Sequence, residues 1–171
     1  MRSCRNGVLA LLISASSATA VSQATDWTPY RSGRFGYTLF FPAEVFQPRR
    51  GSPSGDGFEF LSRDGQAKLK VFAAYNTDNV GITEYRAAIM RDFVGYDHMV
   101  YGPMGQSWFV LSGLRDGSIF YQKVIFTCEG HVINAFALTY PKEQKRDYDD
   151  IVTGIEKSFR PSREPRCYAK S

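Results

Sequence analysis

Hydrophobic and polar positions along this chain follow two periods. Residues 35–41 set Phe35, Tyr37, Leu39 and Phe41 against Gly36, Thr38 and Phe40, the period-two signature of a strand, which Pro42 ends. Residues 42–57 hold three prolines and three glycines and predict a long exposed loop. Strand-like residues 58–61 and 67–75 flank Ser62-Arg63-Asp64-Gly65-Gln66, where Asp-Gly favours a tight reversal, so they predict a β-hairpin. From Thr83 the period lengthens. Tyr85, Ala88, Ile89 and Phe93 recur at helical spacing, with Thr83 placed to cap the first amides, and this predicts about three turns of helix closing near Gly95.

The second half repeats the hairpin pattern. Residues 99–104, 108–114, 119–128 and 132–140 are strand-like, with Arg115-Asp116-Gly117-Ser118 and Glu129-Gly130 as tight connections, and predict an antiparallel meander. Residues 143–159 align Tyr148, Ile151, Val152, Ile155 and Phe159 on one face, while Asp149, Asp150, Glu156 and Lys157 face away, so this segment is an amphipathic helix ended by Pro161. Gly154 inside it costs about 1 kcal/mol relative to Ala, which close packing of the helix on the sheet would explain. No internal repeat is evident. The sum is an α+β fold, an antiparallel sheet built of β-hairpins with flanking helices.

The start of the chain does not share these patterns. Arg2 and Arg5 precede a short apolar run at 7–13, and Ala18-Thr19-Ala20 fits the small-x-small site of a signal peptide, so cleavage is expected between Ala20 and Val21, with Ala24 as the second candidate. The run falls well short of the roughly 20 residues that span a bilayer, which makes an uncleaved anchor the weaker reading, and no later segment predicts a transmembrane anchor. Cys4 precedes the apolar run, the wrong place for a lipid-modified cysteine. The organisation expected is therefore a signal peptide at 1–20, a polar lead-in at 21–34 draped over the domain, a single α+β domain at 35–161 and a C-terminal tail at 162–171, in a periplasmic or secreted protein.

Composition adds exclusions. With 43% hydrophobic, 15% aromatic and 22% charged residues, the chain is neither disordered nor collagenous nor a coiled coil. The net charge of +4 includes Arg2 and Arg5, so the mature balance is +2, spread along the chain, and no nucleic-acid partner is expected. In an oxidising compartment the remaining cysteines, Cys128 and Cys167, are expected to form a disulfide, with two surface thiols as the alternative.

Several local signatures carry a resemblance. Tyr37-Thr38-Leu39-Phe40-Phe41-Pro42 closes an aromatic strand, Gly55-Asp56-Gly57 precedes a short strand, and Thr139-Tyr140-Pro141 leads to a helix ending Lys157-Ser158-Phe159-Arg160-Pro161. Over about 27–161 the chain resembles the PsbP-like superfamily, and more closely the small uncharacterised exported proteins of proteobacteria that share its grammar. The resemblance implies an α/β/α sandwich with a central antiparallel sheet. The superfamily includes thylakoid accessory proteins and a nuclear-transport factor, so partner binding is the theme it implies, with no residue to which a specific role is carried over.

The residues for chemistry are sparse. His98 and His131 lack neighbours at metal-ligand spacing, so neither a metal nor another cofactor is expected. Ser112 lacks the Gly-x-Ser-x-Gly elbow, and Cys128 near His131 suits a disulfide better than a nucleophile. Asp147, Asp149 and Asp150 read as a solvated helix face. Arg49 and Arg50 before the glycines at 51–57 suggest an anion cradle, but a phosphate loop leads into a helix and this one leads into a strand. Trp27 and Tyr30 are the aromatics most free for another role. Two functions follow: an exported non-catalytic binding or accessory protein that meets an unknown protein or envelope partner, or a hydrolase-like enzyme with a site drawn from Asp56, Arg115, Asp116 and His131.

Overall fold

The computed structural model describes residues 26–92 and 98–161. Nine strands and two helices follow in order: β1 (Trp27–Arg31), β2 (Thr38–Pro42), β3 (Phe46–Gly51), β4 (Gly57–Ser62), β5 (Lys68–Tyr75), α1 (Ile82–Asp92), β6 (His98–Tyr101), β7 (Trp108–Arg115), β8 (Ser118–Thr127), β9 (Val132–Pro141) and α2 (Lys145–Ser158). Seven strands form one antiparallel sheet in the order β3-β4-β5-β9-β8-β7-β6, and β1 pairs with β2 in a separate ribbon. The two meanders β3-β4-β5 and β6-β7-β8-β9 meet where β9 pairs with β5, and α1 carries the chain between them. This is the expected α+β architecture.

Each face of the sheet holds its own core. On one face Leu69, Val71, Ala73, Phe136 and Leu138 pack under α2 and the β1–β2 ribbon; on the other Phe109, Val124, Phe126, Ile133 and Ala135 pack under α1. A strand covered on both faces has no polar side to alternate with. Central β9 is accordingly buried at each of its first five positions.

Four expectations need correction. Where it is described, the lead-in is not a drape, because Trp27–Arg31 is a strand hydrogen-bonded to β2. The 35–41 strand starts late: Gly36 at φ 73 and the Ser32 N–H donated to the Tyr37 carbonyl at 2.9 Å make 32–37 a turn, although Phe35, Tyr37, Leu39 and Phe41 are all buried as the alternation requires. The 42–57 segment is not one loop, since Phe46–Gly51 is an edge strand paired with β4. It escapes the alternation rule because only Phe46 is buried, and Pro48 is tolerated where the register shifts beside Arg50. Thr83 is not a cap, since α1 starts one residue before it.

The hairpin reading holds in detail at the β7–β8 turn, where Asp116 (φ 48) and Gly117 (φ 74) are both left-handed, as a two-residue type I′ turn demands. At the β4–β5 turn Asp64 instead accepts from the Ser62 hydroxyl and the Gln66 N–H, and only Gly65 takes positive φ. The last helix forms as the periodicity requires, with Tyr148, Ile151, Val152 and Ile155 buried.

Candidate functional site

The four polar residues of the hydrolase reading do not meet. Arg115 and Asp116 sit on the β7–β8 turn, exposed and paired with each other at 3.4 Å. His131 lies at the far end of β8, a ten-residue strand and so about 33 Å away. Asp56, in the β3–β4 connection, is engaged by Arg34 at 2.5 Å. Ser112 is a strand residue whose hydroxyl donates to the Phe120 carbonyl at 2.8 Å. On the helix face Lys145 grips Asp149 at 2.7 Å. The backbone of His98 belongs to β6; Ala20, Val21 and Cys167 lie outside the described residues. Among those residues no group of three or more His, Cys, Asp or Glu is placed to hold a metal ion.

Trp27 and Tyr30 are not free. The Trp27 indole lies against Gly154 of α2, and Tyr30 packs its ring 5.1 Å from Phe58 and 5.4 Å from Phe60.

A cleft of about 890 Å³ opens at one end of the sheet, bordered by Asn76, Val80, Ser107, Phe126, Cys128 and Pro161. Its wall is the β8–β9 turn, where Cys128, Glu129 and Gly130 are left-handed in succession at φ 56, 57 and 92. Buried Asn76 holds that turn: its amide donates to the Gly130 and Val80 carbonyls at 2.9 and 3.0 Å, and its oxygen accepts from the Val80 N–H. Glu129 is the lone acid on the border, so the described cleft offers no acid–base pair.

The second feature is a cationic tract on the face that α1 covers only in part. Alternation along β5 puts Leu69, Val71 and Ala73 under α2 and turns Lys68, Lys70 and Phe72 the other way. Phe72 packs against the same core cluster as Ile82, Tyr85 and Ile89 of α1, whereas Lys68 and Lys70 stay exposed. Arg50 is paired across to Glu59, and Glu59 to Lys70. Two adjoining grooves, of about 480 and 500 Å³, share Lys68 and Lys70. The first also takes in Arg49, Arg50 and Glu59, so four cations face one carboxylate, which stands 3.8 Å from the Lys70 ammonium and 4.0 Å from that of Lys68. The sequence showed Arg49 and Arg50; only the pairing of β3, β4 and β5 adds the lysines.

Glu156 does not face away as the helix pattern implied: it turns toward β8 and joins a polar cluster between β8 and α2. Glu156 accepts from the Lys123 ammonium and the Tyr121 hydroxyl, both at 2.7 Å, and Lys123 lies 5.5 Å from the Trp108 ring centre. Burial works to raise the Glu156 carboxyl, but the bonds from Lys123 and Tyr121 outweigh it and hold the group below the ordinary glutamate value. Spacing could not signal this cluster, because its members lie 33 and 35 residues apart.

No protein-family model matches the chain, and no curated protein matches it. Solved structures do. PsbP (CyanoP) from Synechocystis sp. PCC 6803 superposes with a TM-score of 0.56 at 12% identity, over 85% of this chain and 98% of that one. The Ran-binding protein Mog1p of Saccharomyces cerevisiae gives 0.56 at 9% identity, over 81% and 96%, and a point mutant of Mog1 gives 0.58 at 10%, over 84% and 100%. At such identities the likeness concerns the backbone, and in that sense the chain has the fold of PsbP and Mog1.

Proposed function

We propose that this protein is an exported, periplasmic or secreted, non-catalytic binding or accessory protein that meets a protein partner on the uncovered face of its sheet. The observation that carries this reading is a contrast: exposed cations gather on β3 and β5, while Arg115 and Asp116 are held at the opposite end of the sheet from His131 and Asp56 is engaged by Arg34. The fold neighbours add weight, since one is a Ran-binding protein. Export rests on the basic start, the short apolar run and Ala18-Thr19-Ala20; the kinship with exported proteobacterial proteins rests on the strand and turn signatures at 37–42, 55–57, 139–141 and 157–161.

Within this reading Cys128 and Cys167 are bridged. Pro161, the last described residue, borders the same cleft as Cys128, and the six residues that follow reach Cys167. Mass spectrometry of an unreduced digest tests the pair, and N-terminal sequencing of the exported chain tests a start at Val21.

The functional reading is tested by affinity capture from envelope and medium, with hydrolase assays on the same preparation. A specific protein should co-purify with the wild type and equally with Asp56→Asn, Arg115→Ala, Asp116→Asn and His131→Ala variants. Failure to retain any partner, or a hydrolytic activity abolished by one of those variants, would overturn it.

A further inference from the structure

Resting on that reading, we infer that the tract of Arg49, Arg50, Lys68 and Lys70 binds an extended acidic segment of a protein partner, laid along β5 with its carboxylates toward the lysines. Lys68 and Lys70 are two residues apart on one side of a strand, hence about 6.6–6.8 Å apart along it, the interval at which an extended peptide repeats its own same-side carboxylates. Across the strands the spacing is wider. Arg50 and Lys70 are separated by β4, about 10 Å at the usual strand separation.

That arrangement discriminates among anions. A compact anion such as phosphate would need the cations to converge, and the point between them is taken by Glu59, whose carboxylate is within 4.0 Å of both lysines and repels a second negative group there. An extended chain meets the same cations one after another and runs along the grooves on either side of the lysine ridge, where Gly57, Ala137 and Thr139 leave room. A lipid surface would want apolar anchors beside the cations, but the exposed large apolar residues among those described, Phe40, Met90, Met104 and Trp108, belong to other elements. Recognition runs through side chains and not through strand addition, because Pro48 and the register shift beside Arg50 spoil the free edge of β3.

The probe is a fluorescein-labelled peptide of alternating Asp and Thr, long enough to span β5, titrated with the full chain and read by anisotropy. Binding should weaken as salt is raised. The paired substitution Lys68→Glu and Lys70→Glu should lower affinity at least about tenfold, whereas Glu59→Gln should raise it about threefold. Lys145→Glu with Lys157→Glu makes the same change of net charge on α2 and should leave affinity within about twofold. Should the reversed pair fail to fold by circular dichroism, Lys68→Gln with Lys70→Gln replaces it, with a loss of about threefold.

Three results would overturn the inference: no salt-sensitive binding of the peptide, an equal loss from the α2 pair, or binding of phosphatidylglycerol vesicles or inorganic phosphate in place of the peptide. If a partner is captured yet the peptide does not bind, the acidic segment is wrong and the binding reading stands. If no partner is captured, that reading itself fails.

Discussion

The indole of Trp27 fills the space that a Cβ on Gly154 would need, so β1 and α2 approach at a distance that glycine alone permits. The helix gives up about 1 kcal/mol of propensity at that position and gains the close seat of the β1–β2 ribbon. Gly154→Ala should therefore destabilise the protein by about 1–3 kcal/mol, as overpacking does, despite the better helix former. In a Trp27→Ala background the sign should reverse, to a gain of about 1 kcal/mol. Denaturant unfolding of the four combinations measures both.

Phe46 decides whether the 46–51 segment is structure or ornament. Its side chain is 1% exposed and faces the Tyr148 ring at 6.3 Å, whereas the five residues after it in β3 are exposed. Phe46→Ala should cost about 3–5 kcal/mol, while Arg49→Ala should stay within about 0.5 kcal/mol. Unfolding midpoints distinguish an anchored edge strand from a dispensable loop.

Two glycines should respond oppositely to alanine. Gly117, at φ 74 in the β7–β8 turn, forces an L-residue into the left-handed region, so Gly117→Ala should cost about 1–2 kcal/mol. Gly33 has open space around its Cα and no such φ; Gly33→Ala should be neutral or stabilising by about 0.4–1 kcal/mol through the unfolded chain. Thermal melting of both variants gives the comparison.

Buried tyrosines make alkaline stability predictable. Burial, with the nearby Asp149 charge, raises Tyr140 from 10.0 to about 12, and burial raises Tyr37, Tyr85 and Tyr148 as well. Below pH 10 the phenol is neutral in both folded and unfolded chains, so its contribution is fully present. Above that the unfolded chain ionises first, and stability falls as pH rises through the folded value of about 12. Tyr140→Phe should flatten that fall by on the order of 2 kcal/mol, read from melting temperature against pH and from tyrosinate absorbance. Glu156 works at the other end: its lowered carboxyl stabilises above the ordinary glutamate value and loses that contribution as pH falls through its own. Glu156→Gln should reduce the acid sensitivity of the fold.

By itself the sequence determined whatever depends on neighbours along the chain. Strand-like runs between turn signals identified β4, β5, β7, β8 and β9, and helical spacing identified the buried face of α2, because a helix with one wet side repeats its apolar residues at the interval of its own geometry. Asp116 and Gly117 announced their turn, since few residue pairs accept two positive φ values. The tertiary structure alone decided the rest. β1 and β3 are strands because β2 and β4 supply hydrogen bonds, not because their side chains alternate, and β3 buries only Phe46. Alternation could say that Lys68, Lys70 and Phe72 share a face, but not that Phe72 would join the core under α1 and the lysines stay open. That choice depends on where the crossover between the two meanders lands, and a contact between distant segments leaves no period in either one.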